Sequence, residues 1–188
     1  MKKIISLLLS FTIIFSLTGC KQNTPKVVTE AFIEETRKEL LEEVEKGIDE
    51  LLEEDKEKGA EFYSLINDFD YVIDKETIDG DNATVGVTFK SYNVGEMMTK
   101  FMTDLFNKEL SPYTSESKED FEEYAASLMS KMTKEAKKAG KTYEKYLAIT
   151  LKKEDGKWQV VNEEDTKYAI YVAVSGGLVE FVETFGID

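Results

Sequence analysis

The sequence predicts an α+β fold in which a curved antiparallel sheet of about four strands packs against helices. Two stretches, residues 69–89 and 143–160, alternate apolar and polar side chains with the two-residue period of half-buried strands, and a glycine-containing turn splits each one. Before, between and after them, apolar residues recur at three- and four-residue spacing, the period of an amphipathic helix. Hydrophobic residues make up 41% and charged residues 33% of the 188-residue chain, so there is material for one core and no charge-dominated disorder is expected.

Lys2 and Lys3 open the chain, an uncharged run follows from Ile4 to Leu17, and the small, turn-forming Thr18-Gly19-Cys20 closes it. A spanning helix needs about 20 apolar residues, and this run is shorter and leads into the polar Lys21, Gln22 and Asn23. That layout is an export signal. Leu17-Thr18-Gly19-Cys20 resembles the lipobox of bacterial lipoproteins, which implies cleavage between Gly19 and Cys20 and a diacylglyceryl thioether on Cys20. The competing reading, a buried thiol in a core helix, fits poorly with Thr18 and Gly19 beside a polar stretch. Cys20 is the only cysteine, so no disulfide can form within the chain. Two acyl chains on one residue supply the two signals that stable anchoring needs.

The expected domain organisation is a signal peptide over 1–19, a lipidated cysteine and short tether over 20–27, and a single α+β domain over 28–188. Removing the leader leaves 22 basic against 38 acidic residues, a net charge of −16. Between Val28 and Phe62 there are 14 acidic and 5 basic residues. Anionic lipid headgroups and nucleic acid would both repel such a surface, so nucleic acid is excluded as a partner. Residues 21–26 can extend only about 20 Å at roughly 3.3–3.6 Å per residue, which keeps the domain close to the bilayer.

A first helix is expected from Val27 to about Lys58, with Leu40, Leu41, Val44, Ile48, Leu51 and Leu52 inward and Glu42 and Lys46 paired on the wet side. Gly59 ends or bends it, and Ala60 to Ile66 add a further turn or two. Phe69, Tyr71 and Ile73 then share one strand face, Asp79-Gly80-Asp81-Asn82 turns the chain, and Ala83, Val85, Val87 and Phe89 form the return strand. A helix follows through Val94, Met97, Met98, Phe101, Met102, Leu105 and Phe106, capped by Asn93 with Glu96 three residues on. Ser111-Pro112 breaks it. Another runs from about Ser117 to Ala139, with Phe121, Tyr124, Ala125, Leu128 and Met132 inward and Gly140 at its end. Tyr143 to Leu151 and Trp158 to Val160 form a second hairpin around Glu154-Asp155-Gly156-Lys157. The end, Glu163 to Phe185, reads as helix interrupted at Gly176-Gly177, with Tyr168, Tyr171, Val172, Leu178, Phe181, Val182 and Phe185 inward.

Tyr71-Val72-Ile73 before Asp81-Asn82-Ala83-Thr84-Val85, the span Leu147 to Val160 with its Glu-Asp-Gly-Lys-Trp turn, and the closing Gly176-Gly177-Leu178 resemble small secreted lipoproteins with a nuclear transport factor 2-like fold. That resemblance implies a cone-shaped sheet, here with an enlarged helical hairpin between the two strand pairs.

Catalytic chemistry is thinly supplied. The chain has no histidine, which removes the commonest general base and metal ligand and any Ser-His-Asp arrangement. It also lacks a P-loop, a GxGxxG and a GxSxG motif. Asp74, Glu76, Asp79 and Asp81 crowd one hairpin, but their spacing is not that of an EF-hand loop, and a solvated turn is the simpler reading. Met97, Met98 and Met102 line either an adaptable binding surface or a core gap, with core favoured. Tyr71, Tyr92, Tyr146 and Trp158 are the aromatic candidates for a pocket, against ordinary core packing.

The expectation is therefore a non-enzymatic binding or interaction module at the outer face of the bacterial cytoplasmic membrane, with no catalytic residue, metal or cofactor. Its partners are membrane lipid through acylated Cys20 and either a small apolar ligand or a basic protein meeting the acidic face from Glu30 to Glu61. The alternative is a pocket enzyme of the isomerase or dehydratase type, which requires a buried carboxylate beside a tyrosine. No such pair is expected at the bottom of a pocket. A structural envelope protein and a transporter-linked solute receptor stand behind these two readings.

Overall fold

The computed structural model describes residues 23–51, 56–109 and 118–185. The leader, Gly19, Cys20, Leu52 and Ser111-Pro112 lie outside the described residues, and so do the side chains of Val44, Ile48, Leu51 and Phe185.

The chain order is α1 (Pro25–Leu51), α2 (Lys56–Asn67), β1 (Asp70–Asp79), β2 (Asn82–Ser91), α3 (Val94–Glu109), α4 (Lys118–Ala139), β3 (Tyr143–Glu154), β4 (Lys157–Val160), α5 (Glu163–Val174) and α6 (Leu178–Phe185). The four strands form one antiparallel sheet in the order β1-β2-β3-β4. The expected α+β class, both hairpins and the intervening helical pair are present.

Local chemistry sets each reversal. Gly80 takes the left-handed φ of 59° between β1 and β2, and Asp155 and Gly156 take 50° and 78° between β3 and β4. Two successive positive φ values make the tight turn whose twist matches paired strands. In β1 the register slips between Ile73 and Lys75. Asp74 is the extra residue there, and its carboxylate accepts a hydrogen bond from the Thr88 hydroxyl. A bulge of this kind on a strand with only one neighbour also discourages further pairing.

One sheet face carries the main core. Ala83, Val85, Val87 and Phe89 of β2, Ile149 and Leu151 of β3, and Trp158 and Val160 of β4 are buried against Ile33 and Leu40 of α1 and Ile170, Ala173 and Val174 of α5. Phe69 and Tyr71 stack obliquely on Phe89, with ring centres 6.3 and 5.9 Å away. The Ser91 hydroxyl, buried in this layer, donates to the Ala173 carbonyl at 2.8 Å and ties β2 to α5. A second, smaller cluster joins Leu65 of α2, Val94 and Met97 of α3, and Leu128 and Met132 of α4. The opposite sheet face is open to water: Val72 and Tyr146 are 59% and 60% exposed.

Several boundaries and facings differ from the sequence expectation. Helix α1 starts at Pro25 rather than Val27, because proline fits the first turn, where its missing N–H costs nothing. Gly59 does not end a helix: it lies inside α2, whose start precedes it. The buried stripe of α1 runs through Pro25, Thr29, Ile33, Thr36 and Leu40, so two threonines occupy positions that periodicity assigned to apolar residues further along. Tyr168 is 44% exposed and Phe106 is 50% exposed, because at these positions the helix surface turns away from either core. Gly140, at φ 81°, ends α4 as expected, with its N–H bonded to Ala136 O at 3.0 Å. Gly176 and Gly177, both at positive φ, separate α5 from α6.

Candidate functional site

The N-terminus of α3 is positioned by its cap and by the glycine turn. Asn93 Oδ1 accepts from the Glu96 N–H at 3.2 Å, and its side-chain amide donates to Glu96 Oε2 at 2.8 Å. The Gly95 N–H meets Gly176 O at 2.9 Å, so α3 begins directly on the α5–α6 turn. A groove of about 240 Å³ opens along this seam, between Asn93, Glu96 and Thr99 on one side and Tyr143, Glu180 and Phe181 on the other.

Its polar centre is a triad of Lys145, Glu180 and Tyr143. Lys145 Nζ lies 2.8 Å from Glu180 Oε1, and the Tyr143 hydroxyl donates to Glu180 Oε2 at 3.4 Å. Burial raises the Tyr143 pKa, with the Glu180 charge adding to it and Lys145 opposing. Burial works against the charge on Lys145, yet its bonds to Glu180 and its neighbours outweigh that and leave its pKa raised. The Glu180 side chain is 51% exposed, so it sits on a wet rim with a cation already paired to it. A dehydratase-type base instead requires a carboxylate withdrawn from water.

A second cluster closes the opposite side of the same sheet end. Lys141 Nζ bridges Asp68 Oδ1 at 2.7 Å and Asp70 Oδ2 at 2.9 Å, while the Tyr92 hydroxyl donates to Asp68 Oδ2 at 3.1 Å. The Lys141 bond lowers the Asp68 pKa, against the opposing effect of burial. Burial first, then Asp68, raises the Tyr92 pKa. A third tie links α1 to α5, where Lys167 Nζ reaches both Glu39 oxygens at 2.9 and 2.8 Å and Tyr171 donates to the same carboxylate. Each pairs a tyrosine with a carboxylate whose side chain remains 41–56% exposed, an arrangement suited to holding elements together.

The residues singled out from sequence are not gathered in one place. Trp158 is in the main core, Tyr71 lies half-buried on the core face, Tyr92 caps the Asp68 cluster, and Tyr146 projects from the open face. The phenol of Tyr146 covers Gly86, where an added Cβ would come within 2.6 Å of the hydroxyl. Tyr146 therefore cannot share a pocket with Tyr71, which is on the other side of the sheet. Met97 is buried in the second cluster, with Met98 packed against it. Asp74, Glu76, Asp79 and Asp81 are exposed, and among the described residues no group of three or more potential ligands is arranged to hold a metal ion. On the acidic face, Glu34 approaches Arg37 at 3.9 Å and Glu39 is taken by Lys167, whereas Glu42 is exposed. Among the described residues, no helix is long and apolar enough to cross a membrane.

The family described as Domain of unknown function (DUF5105) matches residues 22–174. No curated protein matches the sequence. A crystal structure of ycdA from Bacillus subtilis subsp. subtilis str. 168, described as a candidate lipoprotein, aligns with 18% identity and a TM-score of 0.38, over 79% of this chain and 46% of that one. The chain thus spans under half of that structure's length, and a TM-score this low does not establish a common fold.

Proposed function

The chain belongs to the family described as Domain of unknown function (DUF5105), and on that footing we propose that it is a lipid-anchored protein of the bacterial cell envelope that acts by binding rather than by catalysis. The observation that carries the anchor is the run Leu17-Thr18-Gly19-Cys20 after an uncharged stretch, with helix α1 beginning five residues later at Pro25. A thiol so close to a folded surface and outside any disulfide suits lipid attachment. The anchor holds the domain at the outer face of the cytoplasmic membrane.

The binding reading is supported by the chemistry of the described clusters. Tyr143–Glu180, Tyr92–Asp68 and Tyr171–Glu39 are three of the tyrosine–carboxylate pairs that a pocket enzyme of the isomerase or dehydratase type would draw on, beside the exposed Tyr168–Glu183 and the half-buried Tyr71 next to Glu34. In the first three the carboxylate is at least 41% exposed and already paired with a lysine. A basic protein meeting α1, or a small apolar ligand, is the partner class that the charge and the aromatic content favour. The nuclear transport factor 2-like cone is part of the same proposal, supported by two strand hairpins around a helical pair.

Metabolic labelling with a radioactive or clickable fatty acid tests the anchor. Label is expected in the wild-type protein and absent from Cys20→Ala. Equal labelling of both would end the reading.

A further inference from the structure

We propose that the tip of the β3–β4 hairpin is the surface this protein lays against the bilayer, its lysines facing the phosphates of anionic lipid headgroups; the inference rests on lipid attachment at Cys20. The Trp158 backbone N–H donates to Asn23 Oδ1 at 2.8 Å, and Pro25, two residues on, is buried at the start of α1. The domain's N-terminal end is therefore fastened to strand β4. Asn23 is three residues from Cys20, and at roughly 3.3–3.6 Å per residue that stretch spans about 10 Å at most. An acyl chain carried by Cys20 has to enter the membrane within that distance of Asn23. Trp158 pairs with Lys153 and follows Lys157, so the Asp155-Gly156 turn is the neighbouring protrusion.

Lys152, Lys153 and Lys157 surround this turn, and Lys26 is exposed on the first turn of α1. The acids at the same end are Glu154 and Asp155, with Asp79 and Asp81 in the adjacent β1–β2 turn, which is joined to β3 by the Lys153 N–H to Asp81 O bond at 2.8 Å. This end is therefore close to neutral, whereas the mature chain as a whole carries −16. Anionic headgroups repel the rest of the molecule, whereas at this end the exposed lysines can pair with their phosphates. Lys152 is shared with Glu154 at 3.1 Å, and the Lys153 ammonium lies 5.7 Å from the Trp158 ring centre. Both are long side chains at the surface, able to swing to a phosphate.

Trp158 is the only tryptophan, so its emission reports on this spot without added labels. The lipidated protein is reconstituted into vesicles of phosphatidylcholine with phosphatidylglycerol, doped with a dansyl-headgroup lipid as energy acceptor. Most of the Trp158 emission is expected to be lost to the acceptor. A flexible Gly/Ser insertion of about 20 residues between Gln22 and Asn23 relaxes the reach constraint. In that long-tethered form, transfer is expected to persist on phosphatidylglycerol vesicles, to fall several-fold on pure phosphatidylcholine, and to fall equally when Lys152→Gln, Lys153→Gln and Lys157→Gln are combined. The unquenched emission maximum of the triple variant checks that its fold is intact. Protein with the natural tether that floats with vesicles yet shows no transfer would overturn the proposal. So would equal transfer of the long-tethered form on both lipids. Protein that fails to float at all contradicts the anchor itself, which flotation reads separately from Trp158.

Discussion

Gly95 and Gly176 meet backbone to backbone, the N–H of one 2.9 Å from the carbonyl of the other, and this contact seats α3 on the turn between α5 and α6. A Cβ on Gly95 would approach Gly177 O to 2.6 Å, and one on Gly176 would overlap Tyr92 O. Backbone rather than a pliable side chain has to yield in both cases. Gly95→Ala and Gly176→Ala are each expected to cost about 2–3 kcal/mol, near the upper end for forced overpacking. Gly156→Ala meets no atom within 4 Å and bears only the strain of its positive φ of 78°, about 1 kcal/mol. Urea denaturation of the three variants checks this order.

The side chain of Asn93 closes the first turn of α3 reciprocally with Glu96. Asn93→Ala is expected to destabilise the protein by about 1 kcal/mol, the usual worth of an N-cap, and Asn93→Ser to recover most of it. Thermal unfolding of the pair distinguishes a lost cap from a general effect of the substitution.

Thr29 and Thr36 lie fully buried in the sheet-facing stripe of α1, and neither hydroxyl has a hydrogen-bond partner among the described residues. An unpaired buried hydroxyl carries a desolvation penalty of about 1–3 kcal/mol, which a methyl group of nearly the same shape avoids. Thr29→Val and Thr36→Val should therefore each raise the denaturation midpoint. A fall in midpoint would mean that the hydroxyls are satisfied.

The Lys141 bridge makes stability depend on pH in a definite direction. Asp68 has a lowered pKa when folded, so its contribution is present above the unfolded value and is lost as pH falls through the folded one. That places the loss below about pH 4. Lys141 has a raised pKa because its bonds to the two aspartates outweigh burial, and its contribution is lost only as pH rises through that value, above about pH 10. Since the Asp68 side chain is 56% exposed, the whole bridge is worth about 1 kcal/mol or less. Lys141→Gln should lower stability at pH 7, and its difference from wild type should shrink as pH falls below about 4, as read from urea midpoints across that range.

The strand pairs, the Asp155-Gly156 turn, the Asn93 cap and the Gly176-Gly177 break were legible because each is written in neighbouring residues. The stripe of α1 was harder to read: Thr29 and Thr36 count as polar, so the apolar period seemed to begin only at Leu40. Tyr146 was legible in principle, since Leu147 and Ile149 point inward and parity sends Tyr146 to the other face. The Lys141 and Lys145 clusters were not. Lys141 is 71 residues from Asp70, and Lys145 is 35 from Glu180, so both depend on strand register and helix placement that no local pattern encodes.

Mass spectrometry of the N-terminal peptide from membrane-extracted protein tests the central claim most directly. The account predicts a peptide that begins at Cys20 and carries the mass of a diacylglyceryl group on its thiol. An intact Gly19-Cys20 bond with a free thiol in the membrane-extracted protein would contradict it.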